Sequence, residues 1–159
     1  MATKTLQQRF DEKWIPEPNT GCWLWIGAIK NNGYGVIAGS DGRLLHAHRL
    51  AFALYVGPIL QGMDIDHRCR TRACCNPEHL RQATRSQNMH NQSAHHDGSS
   101  KYKGVSYAVR LKKWNAQILI RGRNKHIGCF VTEEEAARAY DSAARTHFGP
   151  FANLNFQAD

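Results

Sequence analysis

The chain has 159 residues, enough for one ordinary domain or two small ones, and its 42% hydrophobic content excludes an intrinsically disordered chain. A net charge of +8 favours a polyanionic partner through phosphate contacts and counterion release, so nucleic acid is the first expectation. No apolar run approaches the roughly 20 residues of a bilayer span, and residues 1–19 lack a signal-peptide core, so a cytoplasmic protein without membrane association is expected.

Along the chain, Leu6 to Trp14 forms a short amphipathic stretch, followed by a Pro-rich turn, PEPNTG, and a strand over CWLWIG that carries Trp23 and Trp25. The glycine-containing turns NNGYG and GSDG punctuate two further strands. HAHRLAFALYVGP then places Leu50, Phe52, Ala53 and Leu54 at helical spacing, closed by Gly57 and Pro58. MDID reads as a short strand ending at His67, with HLRQA as its antiparallel partner. Thr84-Arg85-Ser86-Gln87 fits a capping box, which predicts a helix with Thr84 as N-cap and Asn88 in its first turn. The polar stretch NMHNQSAHHDGSS has no hydrophobic period and reads as a helix end running into a linker. The expected organisation is a first domain over 1–92, a linker over 93–100 and a second domain over 101–159. The halves on either side of residue 90 each carry +4, so both could touch one polyanion.

Five cysteines is an odd number, and three of them cluster beside histidines, which favours metal ligation over a disulfide framework. Cys69, Cys74 and His79 offer two thiolates and an imidazole within one loop, a set suited to tetrahedral zinc. Cys22, from the distant CWLWIG strand, is the expected fourth ligand, and such a tie would compensate for a small core. His67, on a strand end, and Asn88, on the following helix, stand outside this set. A neutral imidazole facing an oxygen-ligated divalent metal suits phosphodiester hydrolysis, with the histidine taking a proton from water and the metal stabilising the phosphate and the leaving oxygen. Asn88 is a hard oxygen ligand and Asp66 is a second one. A zinc knuckle without chemistry explains the cysteines equally well. Asn76-Pro77 reads as a turn and Cys75 as a packed thiol, while His46 and His48 either flank the site or serve a helix start.

From Cys22 to Asn88 the motifs GCWLWIG, GYG, AHRLAF, GPILQGMDIDH and CNPEHL succeed one another in an order that resembles the HNH nuclease superfamily with its ββα-metal (His-Me finger) motif. The similarity is to its phage-type, zinc-stabilised members, and the spacing also resembles that of His-Cys box homing endonucleases. The resemblance implies His67 as general base, Asn88 as catalytic metal ligand, and Cys22, Cys69, Cys74 and His79 as structural zinc ligands. It further implies Mg2+ as the working ion, and products with a 5′-phosphate and a 3′-hydroxyl. His79 stands where the middle letter of the HNH name is usually asparagine, and the last letter is Asn88 rather than histidine; the zinc-stabilised branch shows both changes. Asp66 matches the branch with a second carboxylate ligand. The arginine that often stabilises the transition state in that group is assigned to Arg43, with Arg49 behind it.

Residues 101–131 hold eight basic residues and no acidic one. Val105, Tyr107 and Val109 alternate in one strand, Trp114, Ala116, Ile118 and Ile120 in a second, and Ile127 and Phe130 lie near a third. Thr132 and Glu135 form a capping box opening an alanine-rich helix through Ala136, Ala137, Tyr140, Ala143 and Ala144, closed by Gly149. The other sheet face is expected to hold Lys103, Ser106, Ala108, Arg110, Gln117, Leu119, Arg121, Asn124 and His126, with Arg123 and Lys125 at the hairpin, as a surface for duplex DNA. SKYKGVSY, KWNAQI and HIGCFVTEEEAARAYDSAARTHFGPFANLNF resemble the AP2/ERF DNA-binding domain. Ser106, Ala108, Leu119, Asn124 and His126 replace base- and phosphate-contacting residues of the plant members, so the plant recognition sequence does not carry over. Gln117, Arg110 and Arg121 remain as the expected base readers.

The fold class read from the sequence is α+β: a ββα-metal nuclease domain followed by a three-stranded antiparallel sheet packed on one helix. The function read from it is a site-specific DNA endonuclease of phage or homing type, with zinc structural and Mg2+ catalytic. Cutting both strands would call for a homodimer. The competing reading is a non-catalytic zinc-containing DNA-binding regulator, against which the pairing of His67 with Asn88 argues. An RNA-directed nuclease is a third.

Overall fold

A computed structural model describes residues 3–92 and 98–156. It is a mixed α+β structure of small antiparallel sheets, and the chain divides into two compact units, residues 1–85 and 86–159. The expected linker lies partly outside the described residues, at 93–97. Ser100 is instead buried in the second unit, where its Oγ donates to Glu133 and accepts from the Tyr102 amide, and exposed Ser99 accepts from the Tyr107 amide. Among the described residues no helix is long and apolar enough to cross a membrane.

In the first unit, α1 (Leu6–Asp11) opens with a complete Thr5/Gln8 capping box and ends before Trp14, where the amphipathic stretch becomes strand β1 (Trp14–Glu17). Strand β1 pairs antiparallel with β2 (Cys22–Trp25). Pro16 therefore belongs to a strand rather than to the expected turn, which is tolerated because β1 is an edge strand. The turn lies beyond it, where the Glu17 carboxylate accepts the Asn19 and Thr20 amides and the Gly21 amide donates to Glu17 O. Strands β3 (Val36–Ala38) and β4 (Leu44–His46) form a hairpin that leads directly into α2 (Ala47–Tyr55).

The buried face of α2 is Ala47, His48, Ala51 and Phe52. Ala53 and Leu54, expected on it, are exposed, because each residue advances 100° around the helix and the core lies under the 47/48/51/52 stripe. Strands β5 (Asp64–His67) and β6 (Leu80–Ala83) pair antiparallel, with His67 opposite Leu80 and Asp66 opposite Arg81. The core joins Phe10, Trp25, Ile37, Ala51, Phe52, Ile65, Cys75 and Leu80. It is small, and residues 21–25 and 73–79 are held to it by polar links. The Trp25 and Cys75 amides donate to Ala73 O and Trp23 O, which sets Cys22 beside the loop that carries Cys74.

Helix α3 (Arg85–His90) starts directly after Thr84, and from Ser86 onward it belongs to the second unit. Strands β7 (Val105–Ala108), β8 (Lys113–Ile120) and β9 (Arg123–Phe130) form an antiparallel sheet in the order β7-β8-β9. Val109, expected in the first strand, lies in a single 3-10 turn and is 75% exposed. The β8–β9 turn is Arg121-Gly122, both with positive φ, the pair of left-handed residues that a type I′ hairpin needs. Ile127 and Phe130 are three apart and could not share a face of a regular strand. A register shift opposite Ala116 and Gln117 lets both pack toward α4 (Glu133–Phe148).

Helix α4 has the expected Thr132/Glu135 capping box and Gly149 C-cap, and buries Ala136, Ala137, Tyr140, Asp141 and Ala144. Gly104 is required under it, since a Cβ there would lie 2.1 Å from the Tyr140 ring. Asp141, fully buried, pins the returning chain by accepting the Asn155 and Phe156 amides at 2.8 and 2.9 Å.

Candidate metal centre and general base

Four ligand atoms, from Cys22, Cys69, Cys74 and His79, lie within 4.8 Å of one another. Cys22 comes from β2, Cys69 and Cys74 from the β5–β6 loop, and His79 from the 3-10 turn Pro77–His79 that precedes β6. His79 Nδ1 is 3.5 Å from Cys22 Sγ and 3.6 Å from Cys74 Sγ. Ligands at about 2.0–2.3 Å from a tetrahedral zinc stand roughly 3.3–3.8 Å apart, so this Cys3His set fits zinc in donor chemistry and in spacing.

The hydrogen bond between them holds the Cys69 thiol below its ordinary range and pushes that of Cys74 up. Asn76, buried, supports the loop. Its amide faces Cys74 Sγ at 3.4 Å, its side-chain amide donates to Gly21 O, and its side-chain oxygen caps the turn at Glu78 N. Such outer-shell bonds orient the ligands. Cys75 lies outside the set as a fully buried core thiol, its sulfur 3.4 Å from Trp23 O.

His67, buried at the end of β5, places Nε2 2.9 Å from the carbonyl oxygen of Cys74. A carbonyl can only accept, so Nε2 carries the proton and Nδ1 is the basic nitrogen of the neutral ring. Burial lowers its pKa, which keeps the neutral, proton-accepting form populated at neutral pH. Other rings gather around it, among them the two histidines that the sequence reading offered as flanking the site. The His48 ring is 4.8 Å from that of His67, and Tyr34 is 5.9 Å from it. His48 also approaches His46 at 5.5 Å and Tyr34 at 5.2 Å, which makes it the hub. His48 is 7% exposed, its Nδ1 is buried without a partner, and burial pushes its pKa down to about 3.

Asp66 is 3% exposed and its Oδ2 accepts from Arg81 Nε and Nη2, each at 2.8 Å. The Arg81 partnership, a cross-strand pair, was missed by sequence reasoning, because it follows only from the β5–β6 register. Arg43 sits at the far tip of the β3–β4 hairpin, with its side chain 87% exposed and paired to Asp41 at 3.5 Å. The ring cluster lies at the other end of that hairpin, at His46. Arg49, half-buried in the first turn of α2, is the nearer arginine, and its charge acts on both His46 and His48. Asn88 lies on α3, half-buried.

Residues 45–90 match the family model for HNH endonuclease. The match runs from β4 to the end of α3 and takes in His67, Cys69, Cys74, His79 and Asn88, with Cys22 upstream of it. The chain is 34% identical to Protein 2.8 of Escherichia phage T7 over 88 residues, covering 53% of this chain and 60% of that protein. It is 41% identical to APETALA2-like protein 2 of Oryza sativa subsp. indica over 58 residues, 36% of this chain and 13% of that one. It is 48% identical to Dehydration-responsive element-binding protein 2D of Arabidopsis thaliana over 61 residues, 37% of this chain and 29% of that one. The chain thus spans less than two thirds of the length of each of these relatives.

In the second unit the expected DNA-facing residues separate. Register places Lys113, Asn115, Gln117 and Leu119 of β8 on the face away from α4, together with Ser106, Ala108, Asn124 and His126. Gln117 is therefore on the open face, as expected, and Lys113 and Asn115 join it although the sequence reading omitted them. Arg121 is in the hairpin turn and Arg110 in the 3-10 turn after β7. Arg123 and Lys125 lie within β9 rather than at the turn, opposite Ile120 and Ile118, and so belong to the α4 side at the sheet edge. Lys103 is half-buried, with its ammonium donating to main-chain carbonyls. The open face is polar with few charges, and most of the cations stand around it.

Proposed function

We propose that this chain is a metal-dependent DNA endonuclease in which residues 1–92 carry the chemistry and residues 101–159, by their AP2-like character, hold duplex DNA. The observation that carries this reading is His67, a buried neutral imidazole whose Nε2 is occupied by the Cys74 carbonyl, so that Nδ1 is the base, inside the segment that matches HNH endonuclease. Zinc at Cys22, Cys69, Cys74 and His79 is structural, since four protein ligands leave no open position for substrate. His67 Nδ1 accepts the proton of the attacking water, and the Cys74 carbonyl holds the resulting imidazolium in place. Asn88 and Asp66 are the oxygen donors that would hold Mg2+, which when bound supplies charge to stabilise the phosphate and the leaving oxygen. Arg49, rather than Arg43, is the arginine placed to stabilise the transition state. In the second unit Gln117, Arg121 and Arg110 read and hold the duplex, with Lys113 added to them.

The test is plasmid cleavage by the zinc-loaded protein with Mg2+, with and without EDTA, beside His67→Ala. Nicking or linearisation that needs Mg2+ and fails in the variant is expected. DNA binding without cutting by the wild type, or undiminished cutting by the variant, would remove the assignment.

A further inference from the structure

Helix α3, which carries Asn88, has six residues, far short of the ~12–15 at which a helix persists by itself in water. It has no glycine C-cap. Its last carbonyls find donors elsewhere in the second unit: Lys103 Nζ donates to His90 O at 2.6 Å and to Gln92 O, and Asn153 Nδ2 donates to Gln92 O at 3.0 Å. The His90 ring stacks on Phe148 of α4 at 3.7 Å between centroids and 11° between planes. Lys103 is itself held at both main-chain groups, its amide donating to Asn155 Oδ1 and its carbonyl accepting from Asn155 Nδ2. The Asn155 amide in turn donates to the buried carboxylate of Asp141. A continuous hydrogen-bonded path therefore runs from the interior of α4, through Asn155 and Lys103, to the C-terminal end of α3. An ammonium there also opposes the negative end of the helix dipole.

We infer that Lys103 is the C-terminal clamp of α3 and a positioning residue for Asn88, and not one of the DNA contacts among which its place in the sequence pattern puts it. The functional half of this inference rests on the reading of Asn88 as a metal ligand. The structural half does not. Within residues 86–159, Lys103 and Asn153 then fix the end of the helix that bears Asn88.

The test uses the full-length, zinc-loaded protein with Lys103→Met, which keeps the aliphatic stem, and Lys103→Arg, which keeps the cation. Amide hydrogen exchange is followed in residues 85–92, without DNA or Mg2+. Lys103→Met should speed exchange there by roughly tenfold, the scale of a lost charge-assisted hydrogen bond, with β8 and α4 unchanged and with Lys103→Arg restoring protection. In cleavage, Lys103→Met should need several-fold more Mg2+ for half-maximal rate, while the salt dependence of DNA binding keeps its slope. Should Lys103→Met loosen β8 as well, Asn153→Ala, which removes the other donor to Gln92 O, should still speed exchange in 85–92 alone. Unchanged exchange there in both variants, or a salt slope lowered by about one phosphate contact in Lys103→Met with α3 still protected, would overturn the inference. Undiminished Mg2+-dependent cutting by Asn88→Ala would remove the reading of Asn88 as a metal ligand and leave the exchange result standing, so the two failures are distinguishable.

Discussion

His48 makes the first unit acid-sensitive in a calculable way. Burial, then the charges of His67, His46 and Arg49, push its pKa from an ordinary 6.5 down to about 3. The unfolded chain therefore binds a proton below pH 6.5 that the folded chain refuses until about pH 3, so this residue's contribution to stability falls as pH falls through that window. Between about pH 7 and about pH 5 the loss from this one residue amounts to about 2 kcal/mol. His48→Phe fills the same space, titrates nothing, and removes a buried nitrogen without a partner, an omission that costs about 1–3 kcal/mol. The variant should equal or exceed the wild type in stability at neutral pH and lose about 2 kcal/mol less on acidification. Urea unfolding of the full chain in zinc-buffered solution reads this through tryptophan fluorescence, since Trp14, Trp23 and Trp25 belong to the first unit and only Trp114 to the second. Acid loss of zinc affects both proteins and cancels in the comparison. Parallel acid limbs for wild type and variant would refute the reasoning, because His48 would then be as readily protonated in the folded state as in the unfolded.

Stripping zinc with a chelator, or replacing Cys22 by Ser, should lower the melting temperature of the first unit and release one zinc per chain, measured by a colorimetric assay during thermal denaturation; an unmoved transition would exclude a structural metal. Arg81→Met leaves the Asp66 carboxylate buried and should destabilise by about 3 kcal/mol in urea, with Asp66→Asn on the same background recovering part of the loss; a neutral single variant would mean that Asp66 is not paired as described. Lys113→Met should reduce the slope of log binding constant against log salt by about 0.9 without changing sequence preference, whereas Gln117→Ala should relax preference and keep the slope. The reverse pattern in a titration against matched and scrambled duplexes would place the DNA on another face.

The chemically specific parts of this chain were legible in its sequence. Zinc needs particular donors, so three of its ligands could be picked out of one loop, and Cys22 was predictable because a three-ligand structural site is incomplete. The α4 caps were legible because Thr132 and Glu135 satisfy orphan amides within one turn, independent of anything distant. What escaped depended on register or depth. Arg81 meets Asp66 only because β5 and β6 pair as they do. His48 looked like a helix-start histidine, and only the packing of α2 against the core drives it inside. The apolar run Leu50 to Leu54 offers a residue to every side of a helix, so periodicity alone could not select the buried stripe. The Arg121-Gly122 type I′ turn, which leaves Arg123 and Lys125 in β9 of the hairpin, depends on positive φ at a non-glycine residue, for which the sequence holds no signal.

A unit of 85 residues with a core this small cannot hold a histidine in one orientation by packing alone, and His67 is fixed by a carbonyl from the zinc loop. That carbonyl belongs to Cys74, whose sulfur is one of the four clustered donor atoms, so the atom that orients His67 and an atom of the proposed zinc site sit on one residue. On the proposed reading, loss of zinc should loosen the Cys74 carbonyl that accepts from His67 Nε2, and activity should fail at chelator concentrations that leave most of the β5–β6 pairing intact.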